Sequence, residues 1–118
     1  MNESVEIALL LDFYGQLLTQ KQFEILDLHY NNDFSLSEIG EQYRISRQGV
    51  YDSVKKGKDA LRRYEDMLGL VKRFSRHEET LRIVLSRLKK LQNDDSNIKS
   101  NEIIDFCVAE LEKIMNEL

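Results

Sequence analysis

Apolar residues recur at intervals of three to four along most of this chain, the spacing that places side chains on one face of an α-helix. Six segments show the pattern, and between them lie short polar turns. The segments are residues 5–18, 20–30, 35–42, 46–68, 71–91 and 101–118. The chain has no proline and only five glycines, so few positions would interrupt a helix. The pattern therefore predicts an all-α protein.

Capping residues mark where several of these helices begin and end. Thr19 precedes the second segment, and Ser46 precedes the fourth. Ser35 followed by Glu38 three residues later is a capping box, which starts the short third helix. Gly69 is suited to end the fourth helix. Residues 93–100 are polar and predict a loop.

The third and fourth segments have the residue types of a helix-turn-helix. Ile39 and Tyr43 form an inward face on the first helix, and Gly40 is small where two helices cross closely. Ile45 is the apolar residue of the turn. Arg44 takes the turn position that glycine usually occupies, where a left-handed backbone costs a side-chain-bearing residue about 1–2 kcal/mol.

The outward face of the fourth helix is the candidate nucleic-acid-binding site. Arginine and glutamine read guanine and adenine edges, and lysines hold phosphates. The candidate residues are Ser46, Arg47, Gln48, Tyr51, Lys55, Lys56 and Lys58. Asp52 lies among them and repels phosphate. The alternatives are a solvated helix face and a surface for protein or RNA.

Charge is unevenly distributed along the chain, although the net charge is only −4. Residues 44–64 and residues 71–92 each contain seven basic and two acidic residues, whereas residues 93–118 contain two basic and seven acidic ones. Because salt screens charges beyond roughly 8–10 Å, a basic face can bind phosphate on an acidic protein.

The remaining reactive residues do not form a catalytic or metal site in the sequence. His29, His77 and Cys107 lack ligand spacing, and there is no glycine-rich phosphate loop. Cys107 is expected in the core, His29 on the flank of its helix and His77 on the surface. We therefore expect no enzyme, metal or cofactor. No apolar run reaches the roughly 20 residues of a membrane span, and the acidic start is unlike a secretory signal, so a cytoplasmic protein is expected.

The stretch LTQKQFEILDLHY, followed by SLSEIGEQYRISRQGVYDSVK, resembles the fourth region of bacterial sigma factors, which grips the −35 promoter element. Residues 7–91 are similar to the YlxM family of small Gram-positive proteins, most sharply at SRQGVYD. That family's genes tend to lie beside the gene for the signal recognition particle GTPase. The resemblance implies a sigma-like helix-turn-helix and a regulatory or accessory role in that targeting pathway.

These observations predict a helix-turn-helix domain over residues 1–70 and two further C-terminal helices over residues 71–118. The expected function is a regulator that binds double-stranded DNA. The alternative is an accessory protein that binds the signal recognition particle GTPase or its RNA. Apolar seams over residues 74–88 and 104–118 could pack within one chain or across a two-fold axis, and a homodimer is the expected outcome.

Overall fold

The chain is helical almost throughout, which confirms the all-α prediction. The computed structural model describes residues 2–92 and 97–117. A short 3₁₀ turn, Gly15–Leu17, follows the first helix. The helices are α1 (Glu3–Tyr14), α2 (Gln20–Tyr30), α3 (Leu36–Tyr43), α4 (Arg47–Leu68), α5 (Leu70–Gln92) and α6 (Asn97–Glu117). None of the helices in the described part has an apolar stretch long enough to cross a bilayer.

The boundaries of α1 and α6 differ from the predicted ones. Asn2 caps α1, which ends at Tyr14 and not near residue 18. Gly15 is buried where the chain leaves α1, and a Cβ atom there would lie 2.8 Å from the ring of Phe23. This tertiary contact with α2 was not visible in the periodicity of α1. Helix α6 begins four residues earlier than predicted, at Asn97. Residues 93–96 of the predicted loop lie outside the described residues.

The chain divides into two compact units, with the division after Val71. The first unit packs α1, α2, α3 and α4 around one apolar core. Its buried side chains come from all four helices, so the helix-turn-helix has no core separate from the preceding helices. The core residues are Ile7, Leu10, Leu11, Tyr14, Ile25, Leu26, Ile39, Val50, Val54 and Leu61.

Two side chains of the first unit hold the beginning of α5. The Tyr14 hydroxyl donates to Glu65 Oε1 at 2.6 Å and accepts the Leu70 N–H at 3.0 Å. The Val71 N–H donates to the same Glu65 oxygen at 3.0 Å. N–H groups in the first turn of a helix have no intrahelical acceptor, so Tyr14 and Glu65 cap α5 from a distance. Burial, followed by the hydrogen bond to Glu65, raises the pKa of Tyr14.

The second unit is an antiparallel pair formed by α5 and α6. Val84 and Cys107 are buried between the helices, and the Cys107 Sγ–H donates to the Val84 carbonyl oxygen at 3.7 Å. The core position predicted for Cys107 is confirmed. The surface position predicted for His77 is wrong, because only 14% of its side chain is exposed and its Nε2 atom lies 3.3 Å from Glu117.

Candidate nucleic-acid interface

The entry into α3 is fixed by local hydrogen bonds. The Glu38 N–H donates to Ser35 Oγ at 3.1 Å, and the Ser35 N–H donates to Glu38 Oε1 at 3.0 Å. This reciprocal pair is the predicted capping box. The hydrogen bond from the Ser35 backbone lowers the pKa of the Glu38 carboxyl. Before this cap, Nδ1 of His29 in the last turn of α2 lies 2.8 Å from the carbonyl oxygen of Phe34 in the loop, so that ring nitrogen is placed to donate.

The turn between α3 and α4 is closed by a left-handed residue. Arg44 has φ 57° and ψ 43°, so this turn position, which glycine usually occupies, is indeed left-handed here. The Gly40 carbonyl oxygen accepts the N–H groups of Arg44 and Ile45, the latter at 3.0 Å. The bond from Ile45 is the longer closure found in a Schellman motif, and the bond from Arg44 is the single closure of an αL cap. They set the direction in which the chain enters α4.

Gly40 is required because the turn passes directly over α3. A Cβ atom on Gly40 would lie 2.8 Å from the carbonyl oxygen of Ile45, which is backbone and cannot move alone. A small residue was predicted here for the close crossing of two helices, whereas the close neighbour is the backbone of the turn that leads into α4. Gly49, in the first turn of α4, is different. The nearest neighbour of its Cβ atom would be Ser46 Oγ at 3.3 Å, a side-chain atom that must shift by a few tenths of an ångström, and the side chain of Ile45 follows at 3.8 Å.

Alanine at these two glycines is expected to have opposite effects on stability. Within a helix, alanine is favoured over glycine by about 1 kcal/mol. Gly49→Ala should therefore raise the free energy of unfolding by up to about 1 kcal/mol. Gly40→Ala should lower it by about 1–2 kcal/mol, because separating the turn from α3 costs more than the propensity gain. Urea denaturation followed by circular dichroism measures both. A stabilising Gly40→Ala would contradict the close approach.

Helix α4 begins at a serine cap and buries one face. The Gly49 N–H donates to Ser46 Oγ at 2.9 Å, as the predicted cap requires. Further along, Val50, Val54, Gly57 and Leu61 are buried. A Cβ atom on Gly57 would lie 2.6 Å from Leu26, so α2 and α4 cross closely. This buried stripe fixes which side chains at the start of α4 point to solvent.

Three predicted site residues lie together on the solvent side of the first turns of α4. Arg47, Gln48 and Tyr51 are exposed and line a shallow groove with Leu36 from the start of α3. Gln48 Nε2 donates to Asp52 Oδ1 at 3.1 Å. The acidic residue of this face is thus bonded to a neighbouring amide in the free protein. A base edge that engages Gln48 would compete for that amide donor.

The three lysines of the predicted site occupy different surroundings. Lys55 and Lys56 are exposed, and Lys56 lines a separate groove with Thr19 and Gln22 of the α2 start. Lys58 lies about two turns after Tyr51 on the same side of α4, but its ammonium lies 3.0 Å from Glu3 of α1. The hydrogen bonds from Lys58 and then Tyr30 lower the pKa of Glu3. Lys58 is therefore already paired, whereas Lys55 and Lys56 have no ion-pair partner among the described contacts.

Acidic residues of α1 also engage the next basic residue of α4. Arg62 Nε lies 3.2 Å from Glu6, and a terminal nitrogen of the same guanidinium lies 3.7 Å from Glu3. The acidic start of the chain therefore neutralises the middle of α4. The N-terminal end of α4 keeps its basic residues exposed.

A hydrogen bond between α3 and α2, which the sequence did not predict, holds the end of α3. The Tyr43 hydroxyl donates to Glu24 Oε2 of α2 at 2.7 Å. This hydrogen bond, together with burial, raises the pKa of Tyr43 to about 12. The pair is separated by 19 residues, and no local pattern links the two positions. It fixes the helix that precedes the turn, and so helps to orient α4.

The comparison with known proteins agrees with this geometry. The sequence profile of UPF0122, a family of YlxM / p13 like helix-turn-helix proteins, matches residues 1–103. The chain belongs to this family. One relative, the UPF0122 protein of Acetivibrio thermocellus, is 45% identical over 115 residues and covers 98% of each chain.

Other members of the family also align over nearly their whole length. The UPF0122 protein of Clostridium perfringens strain 13 is 40% identical over 98% of this chain and 99% of its own. That of Thermoanaerobacter sp. strain X514 is 42% identical over 95% of this chain and 90% of its own. These alignments include most of the α5–α6 pair, which is thus a shared part of these proteins.

Proposed function

We propose that this chain is a regulatory protein, not an enzyme, that binds double-stranded DNA in the cytoplasm through the N-terminal turns of α4. The observation that carries the proposal is the exposed group Arg47, Gln48 and Tyr51, opposite the buried stripe of the same helix. In helix-turn-helix proteins the N-terminal residues of the second helix contact base edges in the major groove. The side chains here are of the types that such contacts use.

Each exposed residue has a separate role in this proposal. Arg47 can pair with guanine O6 and N7, and Gln48 with adenine N6 and N7. Tyr51 can contact a thymine methyl group or a phosphate. Lys55 and Lys56 hold phosphates, and Ser46 offers its hydroxyl proton near the positive end of α4. Lys58 is left out, because its ammonium is bound to Glu3.

The second candidate function is RNA binding within the signal recognition particle pathway. It is favoured by the exposed basic residues of α5, namely Arg73, Arg82, Lys89 and Lys90. Double-stranded RNA is recognised mainly through its backbone and shape, which a basic helix can contact without reading bases. Under this candidate, α5 and not α4 would carry the interaction.

Selection from a random pool of duplex DNA tests the first proposal against the second. The purified full chain is incubated with the pool, and binding of signal recognition particle RNA is measured at the same salt concentration. An enriched duplex motif supports DNA regulation. No enriched duplex, together with tight RNA binding that survives substitution of Arg47, would overturn it and favour the second candidate.

A further inference from the structure

One side of the α5–α6 pair carries a continuous apolar face. On α5 it consists of Leu81, Leu85 and Leu88, and on α6 of Ile104, Val108 and Leu111. Each of these side chains is 37–51% exposed. We call these six residues the hairpin face. Isolated exposed leucines are ordinary, but a contiguous group of this size marks an interaction surface.

Helix geometry places both stripes on the same side of the pair. The contacts of Arg76 with Glu117 and of Arg87 with Phe106 show which levels of the antiparallel helices coincide. By that register Leu81 lies level with Leu111, Leu85 with Val108 and Leu88 with Ile104. Helical spacing places each stripe beside the buried residue of its own helix, which is Val84 on α5 and Cys107 on α6. Both stripes are rotated away from that contact toward the same side of the pair.

Two helices alone cannot bury such a face. Among the described side chains of this unit only Val84 and Cys107 are buried. Amphipathic helices form stable layers by packing against further elements, most simply as a four-helix bundle. The hairpin face is therefore half of such a core.

We propose that a second copy of this chain covers the hairpin face, with a two-fold axis parallel to α5 and α6. The two copies then form an antiparallel four-helix bundle in which each α5 lies on the α6 of its partner. This deepens the proposed function by giving the regulator its homodimer, and so two copies of α4. The bundle itself does not depend on which nucleic acid α4 binds.

Charges beside the hairpin face favour a second copy in this orientation. Arg82 and Lys89 lie along the outer edge of the hairpin face on α5, which we call the α5 margin. Asp105 and Glu112 lie along the outer edge on α6, the α6 margin. Rotation about a two-fold axis parallel to the helices leaves each residue at the same height along that axis. Arg82 then faces the partner's Glu112, and Lys89 faces the partner's Asp105. A perpendicular axis in the plane of the face would instead place α5 on α5 and α6 on α6, so that the two acidic α6 margins would face each other.

The ion pairs within one chain leave these margins available. Arg82 is bonded to Glu78 one turn away on α5, an exposed pair of the kind that contributes little. Among the described contacts, neither Lys89 nor Glu112 has an ion-pair partner. The charges on the margins therefore suit a partner that presents the opposite sign at the same level, and the chain itself is such a partner.

Light scattering after size-exclusion chromatography, on the full chain at micromolar concentration, tests the proposal. The wild type is expected to be a dimer. Leu85→Glu should abolish it, and Arg82→Glu or Glu112→Arg alone should each weaken it about tenfold by like-charge opposition. Lys90→Glu, outside both margins, is the matched control and should leave the dimer unchanged.

Mixing the two charge variants gives the decisive result. In a mixed dimer of Arg82→Glu with Glu112→Arg, both contacts again join opposite charges, so equimolar mixing should restore the wild-type dimer affinity. A pairing within one chain cannot be rescued by mixing. A monomeric wild type would overturn the proposal. So would a dimer that persists in Leu85→Glu and whose charge variants are not rescued by mixing. The duplex selection would still report on α4 separately.

Discussion

Leu61→Ala is expected to lower the free energy of unfolding by about 2–5 kcal/mol, because it removes a fully buried side chain from a close-packed core. Leu61 has 0% exposure and lies in the cluster that joins α4 to α1 and α2. The loss combines the transfer of the removed methyl groups with the cavity that they leave. For a small helical unit this is a large part of the total stability.

Leu68→Ala is the matched control for this substitution. Leu68 lies seven positions further along the same helix, and 48% of it is exposed. The same change there should alter stability by less than about 0.5 kcal/mol. Urea denaturation at a fixed protein concentration measures both variants. Equal losses at the two positions would show that the core does not extend along α4 as described.

Arg47→Ala is expected to weaken binding to the selected duplex roughly 10- to 100-fold, since a bidentate arginine–guanine contact discriminates by about 1–3 kcal/mol. The loss should be specific to one base pair of the site. A duplex changed at that base pair should bind wild type and variant with nearly equal affinity. Fluorescence anisotropy at constant salt measures these affinities.

Arg63→Ala provides the comparison for Arg47→Ala. Arg63 is an exposed arginine of the same helix, about three turns beyond the last residue of the N-terminal groove, Tyr51. Its removal takes the same charge from the protein, so both variants share any general electrostatic effect. If the two substitutions weakened binding equally and without sequence preference, Arg47 would be acting only as a charge.

Local signals in the sequence predicted most of the helix-turn-helix. Ser35 with Glu38 gave the start of α3, and Ser46 gave the start of α4, because capping needs only residues three positions apart. The position of the turn at Arg44 followed from its place between two helical patterns, and the structure adds that this residue is left-handed. Such short-range rules carry over directly to the folded chain.

Long-range pairs could not be predicted in this way. Lys58 is 55 residues from Glu3, and Tyr14 is 51 residues from Glu65. Helical spacing alone placed Lys58 with the phosphate-binding lysines, since it follows Tyr51 by two turns. Only the packing of α1 against α4 brings the carboxylate to its ammonium. His77 was misplaced for the same reason, because α6 covers it.

The acidic net charge is explained by where the acids lie. Glu3 and Glu6 of α1 are occupied by Lys58 and Arg62 of α4, so they do not oppose phosphate at the start of that helix. Asp52 is exposed on the same part of α4 as Arg47, and Gln48 bonds to it. The proposal therefore needs only the local field of Arg47, Lys55 and Lys56, with salt screening the more distant acids.

DNA binding by α4 is tested most directly by a nuclear magnetic resonance titration of the ¹⁵N-labelled full chain with a short mixed-sequence duplex at low salt. We expect the largest amide shifts in residues 46–56, with smaller ones at the start of α3. Shifts confined to α5, with residues 46–56 unchanged, would contradict DNA binding by the helix-turn-helix.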